Sequence, residues 1–349
     1  METLKLQGKF DTLFFLGISF LIILSLVVLG SISPSLFPIY FLYVVLGLIS
    51  FFIFSQLDFN IVSIFSKQIY IGSIIFLFLP LLIGQATRGA IRWIPIGPLT
   101  LQPAEIVRPF LLVFFANFLT RAEVNFKILL KACVLFALPF FLIVVQPSLG
   151  VAIITTLGFI GVILASSFSK KYLFLGFLLA LFTIPLFWFV LAPYQKERVM
   201  TFIEPSRDPR GTGYNSIQAM ISVGSGKFLG RGLGKGVQTQ LAFLPEAHTD
   251  FIFASIGEEL GFVGAVLVLL GEFFILSRII STISDASGVA SRAFAAGIFL
   301  SFFVQTFIHI GMNMGILPIT GLPLPLVSAG GSSLLATMIS LGMVMGAKK

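Results

Sequence analysis

The sequence has 349 residues, of which 57% are hydrophobic and only 10% are charged, with a formal net charge of +8 at pH 7. A soluble globular protein carries about 25% charged residues, so this chain cannot cover a soluble surface of the usual kind. Its 41 phenylalanines and single cysteine, Cys133, exclude a disordered chain and a disulfide framework, and the composition predicts a polytopic membrane protein.

Ten apolar stretches predict transmembrane helices, since a hydrocarbon core of about 30 Å needs roughly 20 apolar residues per helix. They lie at about 12–30, 36–55, 69–85, 104–120, 128–146, 149–167, 172–192, 251–276, 293–315 and 325–346. The first is similar to a signal peptide, but its apolar run of about 18 residues exceeds the usual 7–15, and we expect it to be retained. The predicted fold is all-α: a bundle of about ten transmembrane helices in one integral membrane domain, residues 1–349, with a long extracytoplasmic loop at about 193–250.

The basic residues predict the orientation of this bundle. Ten spans place both termini on one side, and cytoplasmic segments carry an excess of lysine and arginine. With both termini in the cytoplasm, the inner segments hold twelve basic residues, whereas the short outer segments hold only Arg88, Arg92 and Arg108. We therefore expect cytoplasmic termini. Contact with anionic membrane lipids accounts for the positive charge, and no nucleic-acid-binding motif is present.

Two charged residues mark the outer mouth of the fourth predicted span. Pro103 suits the first turn of a helix, so Glu105 and Arg108 would lie one turn apart on a shared face. Either they line a polar cavity in which Arg92 binds an anionic ligand, or they form a self-satisfied ion pair. A charge pair within the membrane is costly and usually faces a cavity, and both interpretations stay open.

The long outer loop is rich in glycine and in basic residues. Six glycines between 224 and 236 are interspersed with Lys227, Arg231 and Lys235. Glycine allows backbone N–H groups to approach an anion closely, so this segment is either a phosphate or pyrophosphate cradle or a flexible connector. The Gly-Lys-Ser/Thr of a Walker loop is absent.

Polar residues also gather directly before the eighth span, at Glu246, His248, Thr249 and Asp250. Either Asp250 or Thr249 is simply a helix N-cap, or Asp250 is a general base at the edge of a low-dielectric region. Glu258 and Glu259 lie two turns further along, where buried acids are expensive, and we expect a structural role for them, such as an ion pair. His309 and Asn313 share a helix face and are expected to form interhelical hydrogen bonds.

Four blocks of residues, spread over most of the chain, resemble one known family. They are Arg-Gly-Ala-Ile-Arg-Trp-Ile (88–94) with Gln-Pro-Ala-Glu (102–105), Pro-Tyr-Gln-Lys-Glu-Arg (193–198) through Gly213-Tyr214, Leu-Pro-Glu-Ala-His-Thr-Asp-Phe-Ile-Phe (244–253) with Gly-Glu-Glu-Leu-Gly (257–261), and Leu-Pro-Ile-Thr-Gly-Leu-Pro-Leu-Pro (317–325) with Ser-Ala-Gly-Gly-Ser-Ser (328–333). The chain resembles the shape, elongation, division and sporulation (SEDS) family of RodA, FtsW and SpoVE. It departs from the family pattern at Ala104, Arg108 and Ala329, where serine, lysine and tyrosine are usual.

The resemblance implies a peptidoglycan glycosyltransferase of the bacterial cytoplasmic membrane that polymerises lipid II beside a class B penicillin-binding protein. It implies that Asp250 is the catalytic residue. The residues expected to bind the substrate or its pyrophosphate are Arg92, Glu105, Arg108, Lys227, Arg231, Glu246, His248 and Thr249. A divalent cation, Mg²⁺ or Mn²⁺, held partly by Asp250 or Glu105, would help to neutralise the leaving group, and we expect no organic cofactor.

Two other functions stay open, namely a lipid II flippase and a non-catalytic scaffold for the penicillin-binding protein. A flippase needs polar groups at several membrane depths, whereas the charges here concentrate at the outer face, which favours the enzyme. Within the family, Gln238-Thr239-Gln240-Leu241 is similar to the elongation branch, and Ala247 with Gly257-Glu258-Glu259 is similar to the division branch. We favour elongation.

Overall fold

The structure, a computed structural model, describes residues 10–87, 90–121, 126–166, 189, 192–208 and 211–348, with the backbone alone at 85–87 and 90–91. Two short 3₁₀ turns lie at Pro34–Leu36 and Pro205–Arg207. The α-helices of these residues are, in chain order, α1 (Thr12–Ile32), α2 (Phe37–Gln56), α3 (Phe59–Ile64), α4 (Ser66–Ile83), α5 (Pro103–Thr120), α6 (Phe126–Val145), α7 (Leu149–Ala165), α8 (Pro193–Ile203), α9 (Thr212–Ser225), α10 (Val237–Gln240), α11 (Ile252–Asp285), α12 (Val289–Asn313) and α13 (Gly331–Gly346).

The predicted membrane helices are present in the part of the chain that the structure describes. Seven helices are long and apolar enough to cross a membrane, and α7 and α13 are shorter apolar helices. They correspond to nine of the ten predicted spans, and the all-α membrane fold is confirmed. The span predicted at 172–192 lies almost entirely outside the described residues. The predicted outer loop carries helices of its own, α8 to α10.

The last membrane helix begins at Gly331 rather than at residue 325 as predicted. Pro323 and Pro325 lack the backbone N–H groups that a helix needs, and Leu326 adopts a φ of 61°, outside the helical region. Residues 317–330, named the return segment below, are therefore irregular.

Asp11 ties together three helix ends. It accepts a hydrogen bond from the Phe14 amide at 3.0 Å, which caps α1, and its carboxylate pairs with Arg278 of α11 and with Lys348 after α13. Partial burial raises the pKa of Asp11, but these hydrogen bonds outweigh it and hold the pKa below its usual value. The two ends of the described chain thus lie at one end of the bundle.

Close contacts hold the central helices together. The ring centroid of Phe115 on α5 lies 5.6 Å from that of Phe136 on α6 and 4.7 Å from that of Phe159 on α7. Gly161 brings α7 against α12, because a Cβ there would lie 2.7 Å from the Ala296 carbonyl oxygen. Such packing drives helix association in lipid, where apolar surface alone gives no driving force.

A small antiparallel sheet, which the sequence analysis did not predict, precedes α5. Its strands are β1 (Gln85–Thr87), β2 (Ala90–Ile96) and β3 (Leu99–Leu101). Gly97 has a φ of 60° in the turn between β2 and β3, which suits the first central position of a two-residue hairpin loop. The Tyr43 hydroxyl donates to the Thr100 carbonyl at 2.7 Å. The sheet is thereby held against α2 and carries Arg92 to the mouth of α5.

Helix α11 is broken at Gly261, whose φ of 65° and ψ of −158° are not helical. Residues 226–236, named the glycine loop below, supply the hydrogen bonds that the break would otherwise leave unmade. These bonds run from Phe262 N to Lys227 O (2.9 Å), from Val263 N to Phe228 O (3.2 Å), from Arg231 N to Glu258 O (2.9 Å) and from Gly232 N to Glu259 O (2.9 Å). The broken helix and the loop therefore fold as one unit.

Candidate active site

Glu105 and Arg108 lie in the first two turns of α5, which begins at Pro103. Both are buried, with 7% and 6% of their surface exposed, and their opposite charges attract each other. Arg108 Nη1 donates to Gln305 Oε1 of α12 at 3.1 Å. Arg108, Gln305 and Thr337 also line a small cavity of about 10 Å³, which is room for about one water molecule. Arg108 therefore bonds another helix as well as attracting Glu105, so the two charges do not form a self-contained pair.

Arg92 of β2 links the two carboxylates on which the sequence analysis centred. Its Nη1 donates to the Pro147 carbonyl at 3.2 Å. Burial lowers the pKa of Arg92, whereas the carboxylates of Glu105 and Asp250 raise it. Both carboxylates consequently lie within electrostatic reach of one guanidinium.

Asp250 closes an irregular turn that leads into α11. The N-cap residue of α11 is Phe251, so neither Asp250 nor Thr249 occupies the N-cap position. In the turn, Thr249 Oγ1 donates to Glu246 Oε2 at 3.2 Å, and His248 Nε2 lies 3.9 Å from the same oxygen. Glu246 has a φ of 52°. The three side chains thus meet one another and hold the turn that presents Asp250.

The return segment packs directly on this turn. Ser328 Oγ donates to the Thr249 carbonyl at 2.8 Å, and the Ala329 amide donates to the His248 carbonyl at 2.9 Å. A Cβ on Gly321 would lie 3.5 Å from Asp250 Oδ2. Gly321 therefore lies directly beside the Asp250 carboxylate.

Three polar residues of α12, spaced four residues apart, lie on the face that meets these segments. Gln305 Nε2 donates to the Pro323 carbonyl at 2.8 Å, and His309 Nδ1 lies 2.7 Å from the Leu322 carbonyl oxygen. Asn313 Nδ2 donates to the Asp250 carbonyl at 3.0 Å. From the sequence, His309 and Asn313 are expected only to form interhelical hydrogen bonds, but their partners include both segments that flank the Asp250 carboxylate.

Arg198 of α8 is a charged neighbour that the sequence analysis assigned no role. Its Nη1 donates to the Ile319 carbonyl of the return segment at 3.4 Å. Arg198 and Tyr194 also lie within electrostatic reach of Arg92. A signal was present, since Arg198 lies in the second of the four blocks, but nothing in the sequence placed α8 near β2.

Glu258 and Glu259 bind the outer loop rather than a cation. Glu258 is fully buried and accepts hydrogen bonds from the amides of Gln238 and Thr239, at 2.9 and 3.1 Å. Glu259 accepts from Ser31 Oγ at 2.7 Å and from the Gly234 amide at 3.2 Å. These neutral donors take the place of the ion pair that we expected, and the carboxylates hold α10 and the glycine loop against α11.

Lys227 and Arg231 are exposed on the glycine loop, whose amides at Arg231, Gly232 and Gly234 already bond the α11 unit. An anion there would be met chiefly by side chains and not by a backbone cradle. Glu258 lies eight residues after Asp250, a separation of about 12 Å along a helix axis. Lys227 and Arg231 therefore lie near the break in α11 at Gly261, and not near the start of the helix, where Asp250 lies.

The carboxylates do not form a metal site by themselves. Among the described residues, no group of three or more His, Cys, Asp or Glu side chains is arranged to hold a metal ion. Mg²⁺ is usually bound by one or two carboxylates together with substrate phosphates. The donors present fit a cation that arrives with a phosphate-bearing substrate, not a metal held by the protein alone.

Comparison with known proteins identifies close relatives over most of the chain. The family model for FtsW, RodA and SpoVE, described as cell cycle protein, matches residues 8–349. The chain is 37% identical over 305 residues to the peptidoglycan glycosyltransferase MrdB of Escherichia coli K12, which covers 86% of this chain and 82% of MrdB. It is 40% identical over 288 residues to the probable peptidoglycan glycosyltransferase FtsW of Buchnera aphidicola subsp. Schizaphis graminum, which covers 80% of this chain and 81% of that protein.

Solved structures show the same fold. A chain of a peptidoglycan synthase complex that coordinates polymerization and crosslinking superposes with a TM-score of 0.83 at 29% identity, over 97% of both chains. The rod shape determining protein RodA of Thermus thermophilus superposes with a TM-score of 0.72 at 26% identity, over 97% of this chain and 96% of RodA.

Proposed function

The chain belongs to the FtsW/RodA/SpoVE family, and from that premise we propose that it is a peptidoglycan glycosyltransferase that polymerises lipid II during cell elongation. The observation that carries the proposal is the placement of Asp250. Its carboxylate lies beside Gly321 and within electrostatic reach of Arg92, which also faces the buried Glu105. A base close to a cation is what transfer of a sugar from a pyrophosphate requires.

In the proposed reaction Asp250 is the general base. It takes the proton from a hydroxyl of the acceptor sugar while that oxygen bonds to the anomeric carbon of the donor, and the carbon–oxygen bond to the lipid pyrophosphate breaks. The bonding electrons leave with the pyrophosphate. Displacement from the opposite face inverts an α-linked donor to a β-linked product.

Cations meet the charge that develops on the pyrophosphate. Arg92 lies within electrostatic reach of Asp250, and Lys227 and Arg231 would receive the lipid-bearing end of the leaving group. Preorganised charge of this kind stabilises the transition state more than the ground state. Mg²⁺ or Mn²⁺ bound between the pyrophosphate and Asp250 or Glu105 would supply further positive charge.

The remaining predicted residues have supporting roles in this proposal. Glu105 and Arg108, which are both buried, bind the substrate together with Arg92. Glu246, His248 and Thr249 bind polar groups of the substrate and keep the turn before α11 in shape through their contacts with one another.

The protein is a multi-pass membrane protein, and we place it in the bacterial cytoplasmic membrane with both termini in the cytoplasm. Lys348 and Arg278 cluster at the end of the bundle that carries both chain ends, as the positive-inside rule requires. The site then faces outward. The structural neighbour from a peptidoglycan synthase complex supports a partner, and we propose that it is a class B penicillin-binding protein that cross-links the strands.

The test is polymerisation by purified protein in liposomes with lipid II and Mn²⁺ or Mg²⁺, followed by sizing of the glycan product. We expect chains from the wild type and none from Asp250→Asn. Asp208→Asn is the matched control, because Asp208 lies in the same outer loop and caps α9 through the Thr212 amide at 2.6 Å. Polymerisation by Asp250→Asn at the wild-type rate would contradict the role of the base. Translocation of lipid II without polymer would favour the flippase.

A further inference from the structure

The side-chain amide of Asn313 connects α12 to the backbone of Asp250. Asn313 is fully buried, and its Nδ2 donates to the Asp250 carbonyl at 3.0 Å and to the His309 carbonyl at 2.8 Å. Its Oδ1 accepts from the Ala254 amide at 3.0 Å. One side chain thus forms hydrogen bonds both to Asp250 in the turn and to the first turn of α11.

This contact replaces a local cap. The first N–H groups of a helix have no partner within the helix, and Phe251 at the N-cap position offers no side-chain acceptor. Asn313 supplies an acceptor from a neighbouring helix and at the same time donates to a carbonyl. A carboxamide combines donor and acceptor in this way, whereas a carboxylate only accepts.

The same face of α12 also holds the other wall of the site. The Leu322 carbonyl can only accept, so the Nδ1 nitrogen of His309 carries the proton in this 2.7 Å contact. Gln305 bonds both the Pro323 carbonyl and Arg108. One face of α12 therefore bonds the Asp250 turn, the return segment and the first turns of α5, and so fixes their positions relative to one another.

We infer that Asn313 is a positioning residue of the glycosyltransferase reaction, which holds the Asp250 carboxylate in register with Arg92 and Glu105 without touching the substrate. The inference rests on the proposed function, because the position of Asp250 matters only if Asp250 acts as the base. A misplacement of about 1 Å in a catalytic constellation lowers the rate by about 100-fold.

The test compares two buried asparagines in lipid II polymerisation. Asn313→Ala is expected to lower kcat by about 10- to 100-fold and to leave the KM for lipid II within about threefold of the wild type, because the surfaces that bind substrate are retained. Asn117→Ala is the matched control. Asn117 is also buried and also makes three hydrogen bonds, to Ser63, Ser66 and Arg121, but it lies near the opposite end of α5. We expect a similar loss of thermal stability and an unchanged kcat.

A second variant separates hydrogen-bond donation from shape. Asn313→Asp keeps the shape and the acceptor, but an ionised carboxylate cannot donate to the Asp250 carbonyl. Only the protonated acid restores a donor, so the kcat of this variant, relative to the wild type at the same pH, is expected to fall as the pH rises. Asn117→Asp should show no such trend.

The inference is overturned if Asn313→Ala keeps the wild-type kcat, or if it and Asn117→Ala lose activity equally when corrected for folded protein. Asp250→Asn, assayed in parallel, tests the role of Asp250 as the base separately from the positioning role of Asn313. Polymerisation by Asp250→Asn would refute the proposed base itself. An inactive Asp250→Asn beside a fully active Asn313→Ala would refute only the positioning role.

Discussion

Gly261 and Gly230 touch backbone to backbone, so that a Cβ on Gly261 would overlap the main-chain nitrogen of Gly230. Gly230 is equally crowded, because a Cβ on it would overlap the carbonyl of Glu259, two residues before Gly261. From its sequence, the glycine loop is interpreted as a phosphate cradle or a flexible connector. The close backbone contact gives another reason for glycine in this loop. The glycines allow the loop to complete the hydrogen bonds of a broken membrane helix.

Gly261→Ala is expected to destabilise the protein by about 3 kcal/mol or more. A positive φ with an extended ψ is essentially confined to glycine and costs another residue about 1–3 kcal/mol, and the overlap with backbone adds to that cost. Thermal melting in detergent, followed by size-exclusion chromatography, measures the effect. Gly224→Ala is the control, because Gly224 lies in α9 with open space around its Cβ position, where alanine is favoured. Equal melting temperatures for the two variants would contradict this account of the break.

Glu258→Gln is expected to loosen α10 without abolishing polymerisation. The variant removes the negative charge that accepts the amides of Gln238 and Thr239, and hydrogen bonds to charged groups contribute about 1.5–3 kcal/mol each. Hydrogen exchange should therefore quicken at residues 237–240. A variant with wild-type exchange and no activity would instead assign Glu258 to the chemistry.

Much of the fold could be predicted because membrane spans are marked by length and hydropathy alone. The small sheet could not, since Pro95 lies within β2 and proline argues against a regular strand. The break at Gly261 was equally hidden, because the apolar pattern continues through it and the compensating hydrogen bonds come from a loop about 30 residues earlier.

The candidate site could be predicted only in part, and the reason is again distance along the chain. Asp250, Glu105 and Arg92 stand out as charges at helix mouths, and the structure places them in one electrostatic group. Asn313 acts through a backbone carbonyl 63 residues away in sequence. No local pattern distinguishes such an asparagine from one that joins two helices.

Arg92→Ala is expected to impair polymerisation strongly, by about 100-fold or more, because removal of a preorganised charge partner costs roughly 3–4 kcal/mol in the transition state. Arg92→Lys keeps the charge but loses the planar fork, so partial activity is expected. Steady-state rates with lipid II measure both. Arg207→Ala is the control, since Arg207 is an exposed arginine of the outer loop paired with Glu204. Equal losses for Arg92→Ala and Arg207→Ala would remove Arg92 from the site.

Asp11→Asn is expected to lower the melting temperature at pH 7, and to lower it by less as the pH falls below the pKa of the unfolded chain. The pKa of Asp11 is lower in the folded protein than in the unfolded chain, so its ion pairs stabilise the fold above the unfolded pKa of about 3.9. That stability is lost as the pH falls through the folded value. Asp58→Asn is the control, because Asp58 caps α3 through the Asn60 amide and, within the described residues, forms no ion pair. A pH-independent effect of Asp11→Asn would contradict the pairing with Arg278 and Lys348.

Removal of divalent cations is expected to stop polymerisation without destabilising the substrate-free protein. The described residues contain no cluster of three metal-binding side chains, so the protein alone should gain little stability from a cation, whereas a ligand bound tightly to the folded state raises its melting temperature. EDTA should therefore leave the melting curve unchanged and abolish glycan synthesis, and added Mg²⁺ or Mn²⁺ should restore synthesis.

Electron paramagnetic resonance of free Mn²⁺ shows whether the ligands of the cation come from the protein alone or from the protein together with lipid II. Addition of protein alone should leave most of the free-ion signal, and addition of lipid II to the protein should reduce it, because pyrophosphate oxygens complete the coordination of a cation held by one or two carboxylates. Asp250→Asn, with lipid II present, should retain more free ion than the wild type. Loss of the signal with substrate-free protein, or a lower melting temperature in EDTA, would show that the metal is resident and would overturn the view that it enters with the substrate.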